Sequence, residues 1–206
     1  MGYLAILLYV VGLAGLALPA TRAIFIKLTP WHLVLVSGMV FAQHKQERHL
    51  LVAYIVCAGL ISFCLEALGV RFGWLFGSYS YGEGLGFSIM GVPVLIGLNW
   101  ALLGYCAGGL IEPLDMALWQ KVALSALLLV GFDACMEPSA VGLGFWHWPV
   151  GYVPGHNYLG WWLTALPVCG LRLVLLSGSR NFLVPYVWWS QFFFFFILSR
   201  FIFPSL

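Results

Sequence analysis

An all-α bundle embedded in a membrane, with about seven transmembrane helices and two aromatic, glycine-rich loops on one side, is the fold class the sequence predicts. Three observations carry it. Of 206 residues, 63% are hydrophobic and only 8% are charged, against about 25% charged in an ordinary soluble domain. Apolar stretches of crossing length, about 20 residues, recur between short polar breaks. The two longest breaks are crowded with Trp, Tyr and Gly and nearly free of charge. Nine basic and seven acidic side chains cannot cover a soluble globule of this size. A net charge of +2 supplies no field for a polyanion, so nucleic acid is excluded as a partner. The chain reads as one integral-membrane domain, residues 1–206.

The elements follow in order. The first span covers residues 3–20. No basic segment precedes its apolar run, so it reads as a span, with cleavage in the Ala-rich 17–23 stretch as the alternative. The second covers residues 31–42, with a start near Ala23 as the alternative, and the polar run His44-Lys45-Gln46-Glu47-Arg48-His49 closes it. The third is 50–70. The fourth is 89–111, broken early by Pro93, and carries Gly104 and Gly108 at the spacing of a close helix contact. The fifth is 121–141, the sixth 158–177 and the seventh 183–203. This count places loops 71–89 and 142–157 on the side opposite the N-terminus. Segments this long and aromatic are expected to fold over the bundle. Basic residues divide evenly, with Lys45, Arg48, Lys121 and Arg180 on one side and Arg22, Lys27, Arg71 and Arg200 on the other. The positive-inside rule therefore assigns no orientation.

Charged residues at bilayer depth are costly and usually mark a site. The candidates are Glu66 late in span three, Asp133 and Glu137 in span five, and Arg172 in span six, with Asn99 and Gln191 as neutral polar groups. Asp133 and Glu137 are four residues apart. They share a helix face about 6 Å apart along the axis. Two carboxylates that close in low dielectric repel and lose solvation, which favours a neutral acid able to donate a proton. The alternative is that Arg172 or backbone groups pair with them and only tie helices together. Glu66, Asp133 and Glu137 can all reach one cavity beneath the aromatic loops.

Competing chemistries are weak. Cys57, Cys64, Cys106, Cys135 and Cys169 lie in apolar runs without a CxxC pair and read as core residues. His147 and His156 near the carboxylates permit a His/carboxylate metal site. Neither HExxH nor paired ExxH is present, so no metal is expected. The Gly82–Gly86 stretch lacks a Walker lysine. No late lysine is available for a retinal Schiff base, and no inverted halves of a transporter are evident.

Two ordered sets of residues carry a family resemblance. The first is Glu66, Gly69, Gly73, Phe76, Gly77, Tyr79, Tyr81, Gly86, Gly91, Pro93, Asn99 and Trp100. The second is Asp133, Glu137, Pro138, Trp146, Trp148, Gly151, Val153, Pro154, Asn157, Gly160 and Trp161. Over this half of the chain the sequence resembles the CruF-type carotenoid biosynthesis proteins, membrane carotenoid 1,2-hydratases that include the bisanhydrobacterioruberin hydratase and γ-carotene 1'-hydroxylase types. It departs from them at Tyr152, where the family tends to have glycine.

The resemblance implies a cofactor-independent hydro-lyase in a multi-pass cell membrane location, expected to be the prokaryotic cytoplasmic membrane. Water would add across the terminal C1–C2 double bond of an acyclic ψ end group to give a tertiary alcohol. Lycopene, γ-carotene and C50 acyclic chains are substrates of this kind. Implied partners are the carotenoid, the lipid bilayer and other enzymes of the carotenoid pathway. In the expected mechanism Asp133 protonates C2. Glu66 activates water against the tertiary cation, with these roles exchangeable, and Glu137 tunes Asp133. Tyr79, Tyr81, Trp146 and Trp148 are the cation-stabilising walls, and Asn157 orients the water. Arg71 or a tyrosine strengthens the acid, and Asn99 and Trp161 complete the substrate site. A ψ-end cyclase and a non-catalytic carotenoid- or lipid-binding protein are the competing functions.

Overall fold

A computed structural model describes residues 1–204. Among them are seven α-helices: α1 (Gly2–Ala17), α2 (Pro19–Ala42), α3 (Arg48–Phe72), α4 (Leu95–Ile111), α5 (Leu118–Gly142), α6 (Gly155–Leu175) and α7 (Leu183–Ile197). A π-helical turn, Leu198–Ile202, extends α7. Helices α2, α3, α5 and α6 are long and apolar enough to cross a membrane, while α1 and α4 are apolar but shorter. The fold is an all-α membrane bundle.

The second helix starts twelve residues before the expected 31–42 core, at Pro19. Only Leu18, in an extended conformation, separates it from α1. Proline suits a first helical position because its missing N–H would have no partner there. Arg22 looked like loop punctuation in the sequence, yet it sits inside α2 and works on the neighbouring helix. Its Nε donates to Leu16 O at 2.9 Å and its Nη2 to Ala17 O at 3.0 Å. Thr21 Oγ1 donates to Gly15 O at 2.8 Å. The carbonyls that α1 leaves open at its end are thereby satisfied without water.

Helix α3 ends at Gly73, whose φ of +67° and N–H···O bond to Gly69 (2.7 Å) form a left-handed cap. The fourth helix begins later than expected. Residues 88–93 form a short hairpin of β2 (Ser88–Ile89) and β3 (Val92–Pro93). Its turn residues Met90 and Gly91 both have positive φ, as a tight hairpin requires.

Helix α4 is the hub, buried continuously from Trp100 to Gly108. Its small residues let neighbours approach. A Cβ on Gly97 would lie 2.8 Å from the Gly59 carbonyl of α3, and one on Gly108 would lie 2.6 Å from Arg172 Cγ of α6. The Gly104/Gly108 pair therefore serves close helix packing, as its spacing predicts.

The two aromatic loops meet. Strand β1 (Ser80–Tyr81) pairs antiparallel with β4 (Trp146–His147), placing Tyr81 opposite Trp146. Gly82 N–H donates to Phe145 O at 2.9 Å. Phe76, Tyr79, Leu85, Phe145 and Trp148 are buried beneath this bridge, whereas Trp74, Phe87 and Tyr152 are exposed. The loops thus form a folded cap on one end of the bundle.

Arg172 does not pair with the α3 and α5 carboxylates. Its Nη2 donates to Glu112 Oε2 at 3.0 Å, and its other bonds go to the carbonyls of Leu176 and Ser179. Arg172 lies fifteen residues beyond Asn157 on α6, about 22 Å along the axis. Its guanidinium closes the end of the bundle opposite the aromatic cap. There it faces the Tyr105 ring at 4.9 Å.

Candidate functional site

Glu66 occupies the penultimate turn of α3 and is 3% exposed. Tyr79 and Tyr81 of the first loop both donate to its Oε2, the latter at 2.9 Å. Trp100 of α4 donates from Nε1 to Oε1 at 3.0 Å. One carboxylate therefore receives three donors from two segments. Burial, reinforced by the adjacent Glu66 charge, pushes both phenols well above the usual tyrosine range. They remain O–H donors at neutral pH.

Glu137 sits on α5 one residue before Pro138. Proline there contributes no N–H to the helix, and the next N–H, Ser139, bonds to Ser199 Oγ at 3.1 Å. Trp146 and Trp148 of the second loop donate their indole N–H groups to Glu137 Oε2, at 2.9 and 3.2 Å. Asn157, at the start of α6, spans the acidic pair. Its Nδ2 donates to Asp133 Oδ2 at 3.0 Å and to Glu137 Oε1 at 3.4 Å.

These groups enclose a chamber of about 30 Å³ lined by Glu66, Phe76, Tyr79, Tyr81, Ile96, Asn99, Trp100, Met136, Glu137, Trp146, Trp148, Asn157 and Trp161. That volume suits a single water, which needs roughly 10–15 Å³ of such space and two to four polar partners. Its walls are aromatic: Trp100 and Trp161 lie 4.3 Å apart between ring centroids, and Tyr79 and Trp148 5.2 Å.

Beside it lies an apolar cavity of about 410 Å³ bounded by α1, α2, α4, α5 and α7. Ile96, Asn99, Met136 and Trp146 line both spaces. A water-sized acidic chamber thus shares a wall with a hydrocarbon-sized pocket.

Most residues singled out in the sequence meet here: Glu66, Glu137, Tyr79, Tyr81, Trp146, Trp148, Asn157, Trp161 and Asn99 all line the chamber. Two do not. Asp133 is fully buried behind Asn157 and is not part of the lining, and its Oδ1 has no hydrogen-bond partner among the described residues. Helix α5 runs toward the cap, and four residues of rise put Glu137 about 6 Å nearer to it. Arg71 is exposed on the last turn of α3, with its guanidinium 5.7 Å from the Phe72 ring. Its side chain points outward from α3 and makes no hydrogen bond to the three carboxylates among the described residues. The donors come from the tyrosines and tryptophans instead. His147 and His156 are exposed and do not converge on the carboxylates.

Phe76, Ile96, Trp100 and Met136 also line the chamber, although the sequence assigned them no role. An indole on a central helix reads as core, and only the packing of α4 against α3 shows that its N–H meets Glu66.

Comparison with known proteins places these features. A family model described as "Carotenoid biosynthesis protein" matches residues 6–206. A bisanhydrobacterioruberin hydratase of Haloarcula japonica is 34% identical over 122 residues, covering 53% of this chain and 40% of that protein. The match thus spans less than half the length of that curated relative. No solved structure matches the chain.

Proposed function

Since the chain belongs to the carotenoid biosynthesis protein family, we propose that it is a carotenoid 1,2-hydratase. It adds water to the terminal C1–C2 double bond of an acyclic ψ end group. The observation that carries this reading is the wall shared by the acidic chamber and the apolar cavity. One compartment suits water and the other suits a hydrocarbon end group, and hydration requires both within bonding distance. The similarity to a hydratase-named protein supports the same reaction class.

The chemistry is redox-neutral and balances with substrate and water alone. The Asp133–Glu137 pair holds one proton between two carboxylates linked through Asn157, and Glu137 presents it to the chamber. Transfer of that proton to C2 breaks the π bond and leaves a tertiary cation at C1. The faces of Trp146, Trp148, Trp161 and Tyr79 stabilise the cation. A water held against Glu66 attacks C1, and its proton passes to Glu66 as the C–O bond forms. Return of that proton to the Asp133–Glu137 pair through chamber water resets the site. Three fixed donors hold the Glu66 carboxyl group in one orientation, suited to positioning water. The protein works as a multi-pass enzyme of a prokaryotic cytoplasmic membrane, where its apolar substrate is dissolved.

The decisive test is product analysis in D2O and in ¹⁸O-labelled water with lycopene as substrate. Hydration yields a product heavier by one water, with one deuterium at C2 and the label in the alcohol. A cyclised isomer of unchanged mass would make the protein a cyclase, and bound but unaltered pigment would make it a binding protein. Activity that survives anaerobic conditions with a chelator supports the cofactor-free scheme.

A further inference from the structure

The side-chain hydrogen-bond donors that line the chamber are spent on its acids, with one exception. Tyr79, Tyr81 and Trp100 donate to Glu66. Trp146 and Trp148 donate to Glu137, and the Asn157 amide is divided between Asp133 and Glu137. Asn99 of α4 lines the same chamber, is half-buried, and its carboxamide has no hydrogen-bond partner among the described residues.

Asn99 also stands at the boundary where water and hydrocarbon would meet. It lines both the chamber and the apolar cavity, together with Ile96, Met136 and Trp146. Ile96 and Met136 have no donor to give, and the Trp146 N–H already serves Glu137. A buried water needs two to four polar partners. Glu66, as the base, accepts a hydrogen from that water but leaves its oxygen free to turn. A carboxamide offers N–H donors that can hold the oxygen and a carbonyl that can take the second hydrogen.

We propose that Asn99 holds the attacking water at the shared wall and thereby decides the fate of the cation. This deepens the hydratase reading and rests on it. Protonation of C2 leaves a tertiary cation at C1 with two ways out. Water attack forms the C–O bond, and the proton of that water leaves to Glu66. Loss of a proton from C2 or from a C1 methyl re-forms a C=C bond and returns an alkene of unchanged composition. The first outcome requires an oxygen already in place and aligned when the cation forms. The Asn157 amide, committed to the acidic pair, is not free to hold it.

The test follows lycopene in D2O with the full chain in lipid vesicles. Deuterated alcohol counts cations captured by water, and deuterium in recovered alkene counts cations that lost a proton instead. The wild type is expected to give mostly alcohol. Asn99→Leu, similar in shape but without a donor, lowers the ratio of alcohol to deuterated alkene by about ten-fold, the effect of one hydrogen bond. Asn99→Thr, which restores a donor, recovers part of that ratio, and the isosteric Asn99→Val does not. Both products come from one cation in one preparation, so a loss of folded protein does not imitate the change. An unchanged ratio in Asn99→Leu, or equal ratios in the Thr and Val variants, overturns the water-holding role. A wild-type protein that yields neither alcohol nor deuterated alkene overturns the hydratase reading itself.

Discussion

Tyr81 and Trp146 face each other across the β1–β4 bridge, and each reaches inward to a different carboxylate. The Tyr81 hydroxyl donates to Glu66 and the Trp146 indole to Glu137, both at 2.9 Å. A two-residue strand pair between two loops thereby sets the relative position of two acids carried on separate helices. Short strands of this kind contribute little stability alone. Their effect here is geometric, because they close the chamber and aim its donors.

Glu137→Gln and Glu66→Gln should each lower hydration by about 10²- to 10⁴-fold, the usual contribution of a positioned acid or base. Asp133→Asn should cost less, because Asp133 stands behind Asn157 and off the chamber wall. Product formation per unit of membrane protein, measured for the three variants side by side, checks this order. An Asp133 variant as inactive as Glu137→Gln would move the proton donor to Asp133.

Trp146→Phe and Trp148→Phe each remove one N–H donor from Glu137 Oε2 while keeping an aromatic face. A hydrogen bond to a charged group is worth roughly 1.5–3 kcal/mol, so each change should slow turnover by about ten-fold or more. In a Glu137→Gln background the same changes should add little further loss. Full additivity in the double variants would argue against a role through Glu137.

Gly160→Val should prevent the protein from accumulating. A Cβ at this position would overlap the backbone carbonyl of Leu75 and press on the Phe76 ring. The first loop could then no longer dock on α6. Overpacking of this kind typically costs about 1–3 kcal/mol. The yield of folded protein after detergent extraction is the measurement.

Arg172→Leu should destabilise the bundle strongly without altering the rate per folded molecule. A hydrogen bond of a charged group is worth roughly 1.5–3 kcal/mol; the change removes those of Arg172 to Glu112, Leu176 and Ser179, while half-buried Glu112 keeps only the Gly178 N–H. The carboxylate chamber lies at the other end of α6. A melting curve and a specific activity, taken on one preparation, separate the two effects.

Stability in detergent should fall as the pH drops below about 6.5. His44, only 1% exposed, bonds through Nδ1 to the Tyr105 hydroxyl at 2.9 Å. Burial, then the nearby Arg172 charge, lowers its pKa. A neutral form favoured by the fold stabilises it above the unfolded pKa. That contribution is lost as the pH falls toward the folded value, because the unfolded chain takes up the proton first. His44→Gln should flatten this part of the pH–Tm curve, and an unchanged slope would exclude His44 as its source.

The membrane bundle was legible from composition and hydropathy, because lipid tolerates few arrangements of a chain with so little charge. The same scarcity made Glu66, Asp133 and Glu137 stand out, and loop composition marked Tyr79, Tyr81, Trp146 and Trp148. The start of α2 was obscured because Arg22, a charge that reads as loop, bonds to the carbonyls of α1. The hairpin before α4 was obscured because its residues are as apolar as the helix that follows.

Sequence spacing put Asp133 and Glu137 on one helix face, but it could not say which of them meets the chamber. It could not show that Trp100 serves Glu66 or that Arg172 turns to Glu112. A residue type and its period along one helix are local properties, whereas a hydrogen-bond partner on another helix depends on depth and rotation. Those are set by which small residues let helices touch, such as Gly97 on Gly59. The chain's composition thus determined its solvent and nominated its acids, and only helix packing decided which acid lines the chamber and which lies in the core.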